Sequence, residues 1–169
     1  LNAAIAKVSG VVPQVAVVLG VCGGSSALSA ANADVCIMAE DAELFFTAPF
    51  TSAAKGDKVA DAGTAAAAAK AGVASVVVPT AADAAEKAAH IVGLLPANNL
   101  TGPAIFEFEQ PTETLKAGAA PEKAAAALID KDSAVELYAG FGKKVYTAFA
   151  TIGGNAVGIV ATGESLCHN

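Results

Sequence analysis

The residues of this chain best suited to chemistry are the glycines that end an apolar run. Val15-Ala16-Val17-Val18-Leu19 leads into Gly20-Val21-Cys22-Gly23-Gly24. A strand that stops at glycines and enters a helix, predicted from Ser25 to about Ala33, leaves backbone N–H groups without partners. Such groups can hold the charge that develops on a carbonyl oxygen, and losing one donor typically costs about 3 kcal/mol of barrier. The chemistry this suits is that of an enzyme acting on a carbonyl or thioester. Taken alone, the same run is also an ordinary tight strand-to-helix connection, because short glycine motifs carry little specificity.

The other reactive side chains are less promising. Cys22 sits beside the glycines, but His90 falls on a predicted helix and His168 in the tail, so a small buried residue is the simpler reading than a nucleophile. His90 reads as a structural helix residue. Asp34 and the Glu40-Asp41 pair read as a strand cap and a solvated turn rather than an acid–base couple. Lys143-Lys144 opens a strand, as a solvated edge or as a phosphate contact.

These candidates must be positioned by the surrounding elements. Residues 2–9 fit a helix end closed by Gly10. Val11 to Leu19 reads as a strand buried on both faces, because its apolar residues do not alternate with polar ones. The helix from Ser25 is expected to be capped by serine. Asp34 to Ala39 and Glu43 to Ala48 read as strands joined by an acidic turn, and residues 49–63 as a polar loop. Thr64 to Ala71 is an alanine-rich helix ending at Gly72, followed by a short buried strand, Val73 to Val78. Pro79-Thr80 opens a helix from about Ala81 to Leu95, with Asp83 and Glu86 placed early as the helix dipole prefers. It stops at Pro96-Ala97-Asn98-Asn99. Prolines and scattered charges make 101–120 a linker, and Pro121 starts another helix to about Ile129. Val145 to Ile152 and Ala156 to Ala161 flank Gly153-Gly154-Asn155, a hairpin signal. The chain thus divides into an α/β body (1–100), a linker (101–120) and the α+β start of a second unit (121–169), which is expected to need partners.

Composition narrows the function. The 169 residues are 54% hydrophobic and 15% charged. That is too apolar for disorder, while Pro13, the glycines and Asp34 interrupt every candidate membrane span. No basic segment marks a signal peptide, and Leu1 is not an initiator methionine, so an internal fragment is expected. The net charge of −6, with no arginine at all, argues against a nucleic-acid groove. It also removes the usual bidentate anchor for anionic ligands, leaving lysines, helix N-termini or a partner chain. Cys22, Cys36 and Cys167 show no CxxC spacing, which points to reduced thiols in a cytoplasmic protein and to no metal site.

Four segments, in order, resemble a known family. VVPQVAVVLGVCGG is similar to its strand and glycine turn, and ANADVCIMAEDAELFFTAP to a segment that usually reads close to ALTDFxxM…MFITGP. HIVGLLPANNL resembles the LPxNN boundary between its two homologous halves, and VELYAGFGKKVYTAFATIGGNAVGIVAT the opening of the second half. The family is the carboxyltransferase subunits of biotin-dependent acyl-CoA carboxylases and decarboxylases, such as those acting on propionyl-CoA, methylmalonyl-CoA and glutaconyl-CoA.

The resemblance implies tandem crotonase-like (ClpP/crotonase) α/β domains, here partial: the later part of the first domain and the start of the second. It also implies carboxyl transfer between carboxybiotin, on a separate biotin carboxyl carrier protein, and an acyl-CoA thioester. Aligned on Asp34, the family's oxyanion-holding amides fall on Gly24 and Ser25, with Gly23 the neighbour if the register slips by one. Ser25 replaces a usual glycine; its N–H survives, but its side chain adds bulk. Cys22 and Thr47-Ala48-Pro49 fall where the CoA cleft is lined, with Ala48 in place of a glycine. A strand end closed by proline is an equal reading of the latter. The resemblance implies no metal, and active sites shared between copies, hence a homo-oligomer or a complementary chain. Two other readings stay open: a degenerate, non-catalytic subunit kept for assembly, and another crotonase-like CoA enzyme such as a hydratase or hydrolase.

Overall fold

The computed structural model describes residues 2–58 and 61–163; Cys167 and His168 lie outside the described residues. In chain order the elements are α1 (Asn2–Val8), β1 (Val15–Val18), β2 (Val21–Gly23), α2 (Ser25–Ala31), β3 (Val35–Ala39), β4 (Glu43–Phe45) and α3 (Pro49–Ala54). There follow α4 (Ala65–Lys70), β5 (Val76–Val78), α5 (Ala81–Leu94), α6 (Pro121–Ala126), β6 (Val135–Leu137), β7 (Val145–Ile152) and β8 (Asn155–Thr162).

The first sheet is parallel, in the order β1-β3-β5. Its central strand, β3, is buried at every residue. The alternation of side chains explains why. Cys36 and Met38 face one apolar cluster with Ala27 and Ala30 of α2, Ala65 of α4 and Leu44. Val35 and Ile37 face a second cluster with Ala84, Ile91 and Leu94 of α5. A parallel strand covered by helices on both faces has no use for polar residues. The edge strand β1 is less covered than its apolar run suggests, since Val17 is exposed and Leu19 lies beyond its end.

Helix α5 owes its start to a reciprocal cap. The Thr80 hydroxyl accepts from the Asp83 N–H, and the Asp83 carboxylate accepts from the Thr80 N–H at 3.1 Å. This closes two of the amides that a helix start leaves open.

The rest of the chain builds an antiparallel sheet, β6-β7-β8. Its turn, Gly153-Gly154, has φ of 56° and 78°, the two positive angles of the two-residue hairpin turn that matches strand twist. The sheet packs against the first unit: Val135 of β6 and Phe149 of β7 join Ile91 and Leu94 of α5 in one apolar cluster. Helix α5 therefore lies between two sheets. The stretch 101–120 has no helix or strand, yet it is strapped down. The Phe106 N–H donates to the Gly154 carbonyl at 2.8 Å, and the Lys131 N–H to the Glu109 carbonyl at 3.0 Å. Residues 49–63, expected to be a loop, contain α3, opened by Pro49. No helix among the described residues is long and apolar enough to cross a membrane.

Candidate functional site

The segment read as a glycine turn is in part a strand. Val21–Gly23 pairs in parallel with Glu43–Phe45, a three-residue ladder whose partner lies some 20 residues on. Parallel ladders use the amides of alternate residues. The Glu43 N–H donates to the Gly20 carbonyl at 3.1 Å, and the Gly24 N–H to the Phe45 carbonyl at 3.0 Å. This corrects one assignment: the Gly24 amide is occupied by the ladder and cannot also hold a ligand. By the same alternation the amides of Val21 and Gly23 turn to the other edge of β2. Among the described residues that edge has no neighbouring strand.

Gly24 then leaves the strand with φ 63° and ψ −135°, a conformation that glycine reaches without strain, and becomes the N-cap of α2. The serine cap expected at this start is absent: α2 has no side-chain cap hydrogen bond. Ser25 is its first residue, and its N–H has no intrahelical acceptor. The open donors at this junction therefore include Gly23 and Ser25, on either side of the occupied Gly24, together with Ser26 in the first turn of α2.

Phe45 forms the wall beside them. A Cβ added to Gly23 would lie 2.8 Å from the Phe45 ring, and one added to Gly63 would lie 3.1 Å from its other side and 3.6 Å from Pro49. The ring is slotted between Gly23 and Gly63, where an added side chain would press on it. Pro49 thus belongs to this neighbourhood. Ala48 is the N-cap of α3, and Thr47 lies on an exposed bend after β4, which ends at Phe45 rather than Ala48. Neither Phe45 nor Gly63 stood out in the sequence, because the slot exists only once β2, β4 and residue 63 are assembled.

Apart from Cys22, which lies on β2 itself, the remaining candidates do not converge on this junction. Cys22 is half-buried, and neighbouring Cys36 is pushed up to about 11 by burial, with the nearby Cys22 adding to the rise. The Cys36 thiol, held that high, is not a nucleophile at neutral pH. His90 is exposed on α5, not on a buried or boundary face. The Asp34 carboxylate accepts from the Gln14 N–H at 2.8 Å, closing the start of the first sheet. Glu40 and Asp41 lie in an exposed turn. Lys143 and Lys144 are exposed before β7. Among the described residues no group of three or more His, Cys, Asp and Glu could hold a metal ion.

A buried carboxylate governs the second glycine turn. Asp130 is only 4% exposed. It accepts from the Thr151 hydroxyl at 2.7 Å, the Gly153 N–H at 2.9 Å and the Gly154 N–H at 2.8 Å. Burial pushes this carboxyl upward, but the donors from Gly154, Thr151 and Gly153 outweigh it and hold it below the ordinary value of 3.8. A depressed folded value means that the clamp's stability is fully present above pH 3.8 and is lost as pH falls through the lower folded value. Asp130→Asn should lower the melting temperature by about 5 °C near neutral pH, since the amide puts an N–H₂ where a backbone donor points. A melting series should show the gap between wild type and variant closing only below pH 3.8; a gap that closes between pH 5 and 7 would contradict the clamp.

Comparison with known proteins gives a consistent answer. The carboxyl transferase domain family matches residues 2–165. The methylmalonyl-CoA carboxyltransferase 12S subunit of Propionibacterium freudenreichii subsp. shermanii is 34% identical over 95% of this chain. Two crystal structures of transcarboxylase 12S, one with hydrolysed methylmalonyl-coenzyme A and one with methylmalonyl-coenzyme A and methylmalonic acid, superpose with a TM-score of 0.85 at 29% identity. They cover 96% of this chain and about a third of theirs (35% and 34%). A single-chain, multi-domain long-chain acyl-CoA carboxylase shares the fold, with a TM-score of 0.78 over 96% of this chain and 17% of its own, at 22% identity. The chain spans 33% of the length of its curated relative. The α/β architecture is the crotonase-like one expected from the sequence, present in part. By the extent of the family match and the order of its elements, the chain belongs to the carboxyl transferase domain family.

Proposed function

We infer that this chain supplies the acyl-CoA side of a carboxyl-transfer site, in which carboxylate moves between a carboxybiotin on a separate carrier protein and the carbon next to a CoA thioester. The N–H groups of Gly23 and Ser25 receive the thioester oxygen. When the α-carbon gives up a proton or a carboxylate, the electron pair left behind spreads onto that oxygen as an enolate. Fixed amides stabilise this charge without reorganising. The observation that carries the reading is the pair of open amides at a strand-to-helix junction, in a chain of the carboxyl transferase family. A transcarboxylase 12S crystal structure with methylmalonyl-coenzyme A bound supports a CoA thioester as the ligand class.

The second glycine turn is no seat for biotin. The second pair of glycine amides, Gly153 and Gly154, already donates to Asp130 and has nothing to offer a ureido oxygen. On this reading residues 1–100 belong to a first carboxyltransferase domain, 101–120 link, and 121–169 open a second, with a further copy or a complementary chain completing the site. The hexamer described for transcarboxylase 12S supports assembly of this kind.

Calorimetric titration of the full-length gene product with acetyl-, propionyl- and crotonyl-CoA tests this reading. Saturable binding of at least one is expected; binding of none would overturn it. A second reading, a non-catalytic subunit retained for assembly, is favoured by the occupied Gly24 amide. Equal carboxyl-transfer rates with and without the Ser25 amide would decide for it.

A further inference from the structure

The ladder that carries the junction is too small to hold itself. Strands β2 and β4 form a two-stranded sheet of three residue pairs, and two isolated strands are at best marginally stable in water. Its geometry has to be fixed from outside, and the contacts that do so meet at Phe45. This residue stands opposite Gly23 in the ladder, and its carbonyl accepts from the Gly24 N–H at 3.0 Å. A Cβ on Gly23 would meet one edge of its ring, and a Cβ on Gly63 the other. On that far side the Leu44 N–H donates to the Gly63 carbonyl at 2.7 Å, and Glu43 bridges Thr64. Thr64 is the N-cap of α4, its hydroxyl accepting from the Ala67 N–H at 3.2 Å. Ala65, the next residue, is buried in the cluster that holds Cys36 and Met38 of β3. The core of the first sheet thus reaches Gly23 through α4, residue 63 and the Phe45 ring.

We propose that Phe45 is a positioning residue, whose ring, wedged between Gly23 and Gly63, sets the direction of the open Gly23 and Ser25 amides. The inference rests on the thioester reading of that junction. Phe45 touches no reacting atom in this scheme and acts through the backbone of β2. With the ring shortened, β2 settles toward residue 63 and the amides leave the position of the developing oxyanion. A misplacement of about 1 Å can cost about 10²-fold in rate.

The test is reconstituted carboxyl transfer by the full-length gene product and its carrier. It is paired with calorimetric binding of whichever of acetyl-, propionyl- and crotonyl-CoA binds most tightly. Phe45→Leu should lower kcat by about 10- to 100-fold. The Kd should barely move, because the amides act on charge that is full only in the transition state. Phe45→Tyr, which keeps the ring, should retain most of the rate. Gly63→Ala presses on the ring from its other edge, should lower kcat in the same way, and serves if Phe45→Leu fails to fold. Since both changes act on one slot, the loss in the double variant should fall short of the product of the single losses. Losses that multiply would overturn the proposal. So would a weakened Kd with kcat intact, which would make Phe45 a substrate contact. A rate lowered by Ser25→Pro but not by Phe45→Leu would overturn the positioning role and leave the thioester reading standing. A rate lowered by neither would remove both.

Discussion

Ser25→Pro should lower carboxyl transfer by about 10²–10³-fold in kcat while leaving the melting temperature within about 2 °C of wild type. Proline is well tolerated at the first residue of a helix, where its missing N–H had no intrahelical acceptor and its fixed φ already suits the helix. Ser25 occupies that position, after the Gly24 N-cap. The substitution therefore deletes one hydrogen-bond donor and little else. Reconstituted transfer with the full-length gene product and its carrier gives the rate, and circular dichroism gives the stability. A rate unchanged by the loss of this amide would exclude Ser25 from charge stabilisation. A fall in rate accompanied by unfolding would be uninformative for any other substitution at this junction, and the choice of proline avoids that outcome.

Gly154→Ala should destabilise the fold by about 3 kcal/mol or more, and so lower the melting temperature by about 6–12 °C in a chain of this size. The new Cβ would collide with the Phe106 carbonyl oxygen, a backbone atom that cannot swing aside. That strand of residues is itself bonded to the turn, through the Phe106 N–H and the Gly154 carbonyl. Relief of the clash would break this bond and disturb the Asp130 clamp. Gly153→Ala is the control. Its φ is also positive, at 56°, but nothing lies within 4 Å of the added carbon, so only the backbone term of about 1–2 kcal/mol remains. Thermal melts of the two variants separate the clash from the conformational preference; equal losses would refute the close approach.

What could be read from the sequence was whatever is written locally. The all-apolar run at Val35–Ala39, the Thr80/Asp83 cap of α5 and the Gly-Gly hairpin each carry their signal within a few residues. Strand β2 was missed because three residues next to glycines read as a turn until Glu43–Phe45 comes alongside. Strand β6 was missed for the same reason: Val135–Leu137 is short and has no turn signal, and only β7 makes it a strand. The site followed this division. The glycine-rich junction was visible, but which amides stay open depends on ladder alternation, which turned the assignment from Gly24 toward Gly23. The slot around Phe45 and the grip of Asp130 on residues more than 20 positions away are products of tertiary structure.

The position of α5 between the two sheets has a practical corollary for anyone dissecting this protein. Ile91 and Leu94 are covered from both directions, by Val35 and Ile37 on one side and by Val135 and Phe149 on the other. Cutting the polypeptide in the proline-rich stretch after residue 100, where a boundary looks most natural on paper, would strip one of those covers. The front piece would then present a wet, greasy stripe along its longest helix, and the rear piece a ribbon with no floor beneath it. Both would be expected to clump, and a hybrid made by swapping rear pieces between relatives would succeed only if the side chains meeting that helix were exchanged with them.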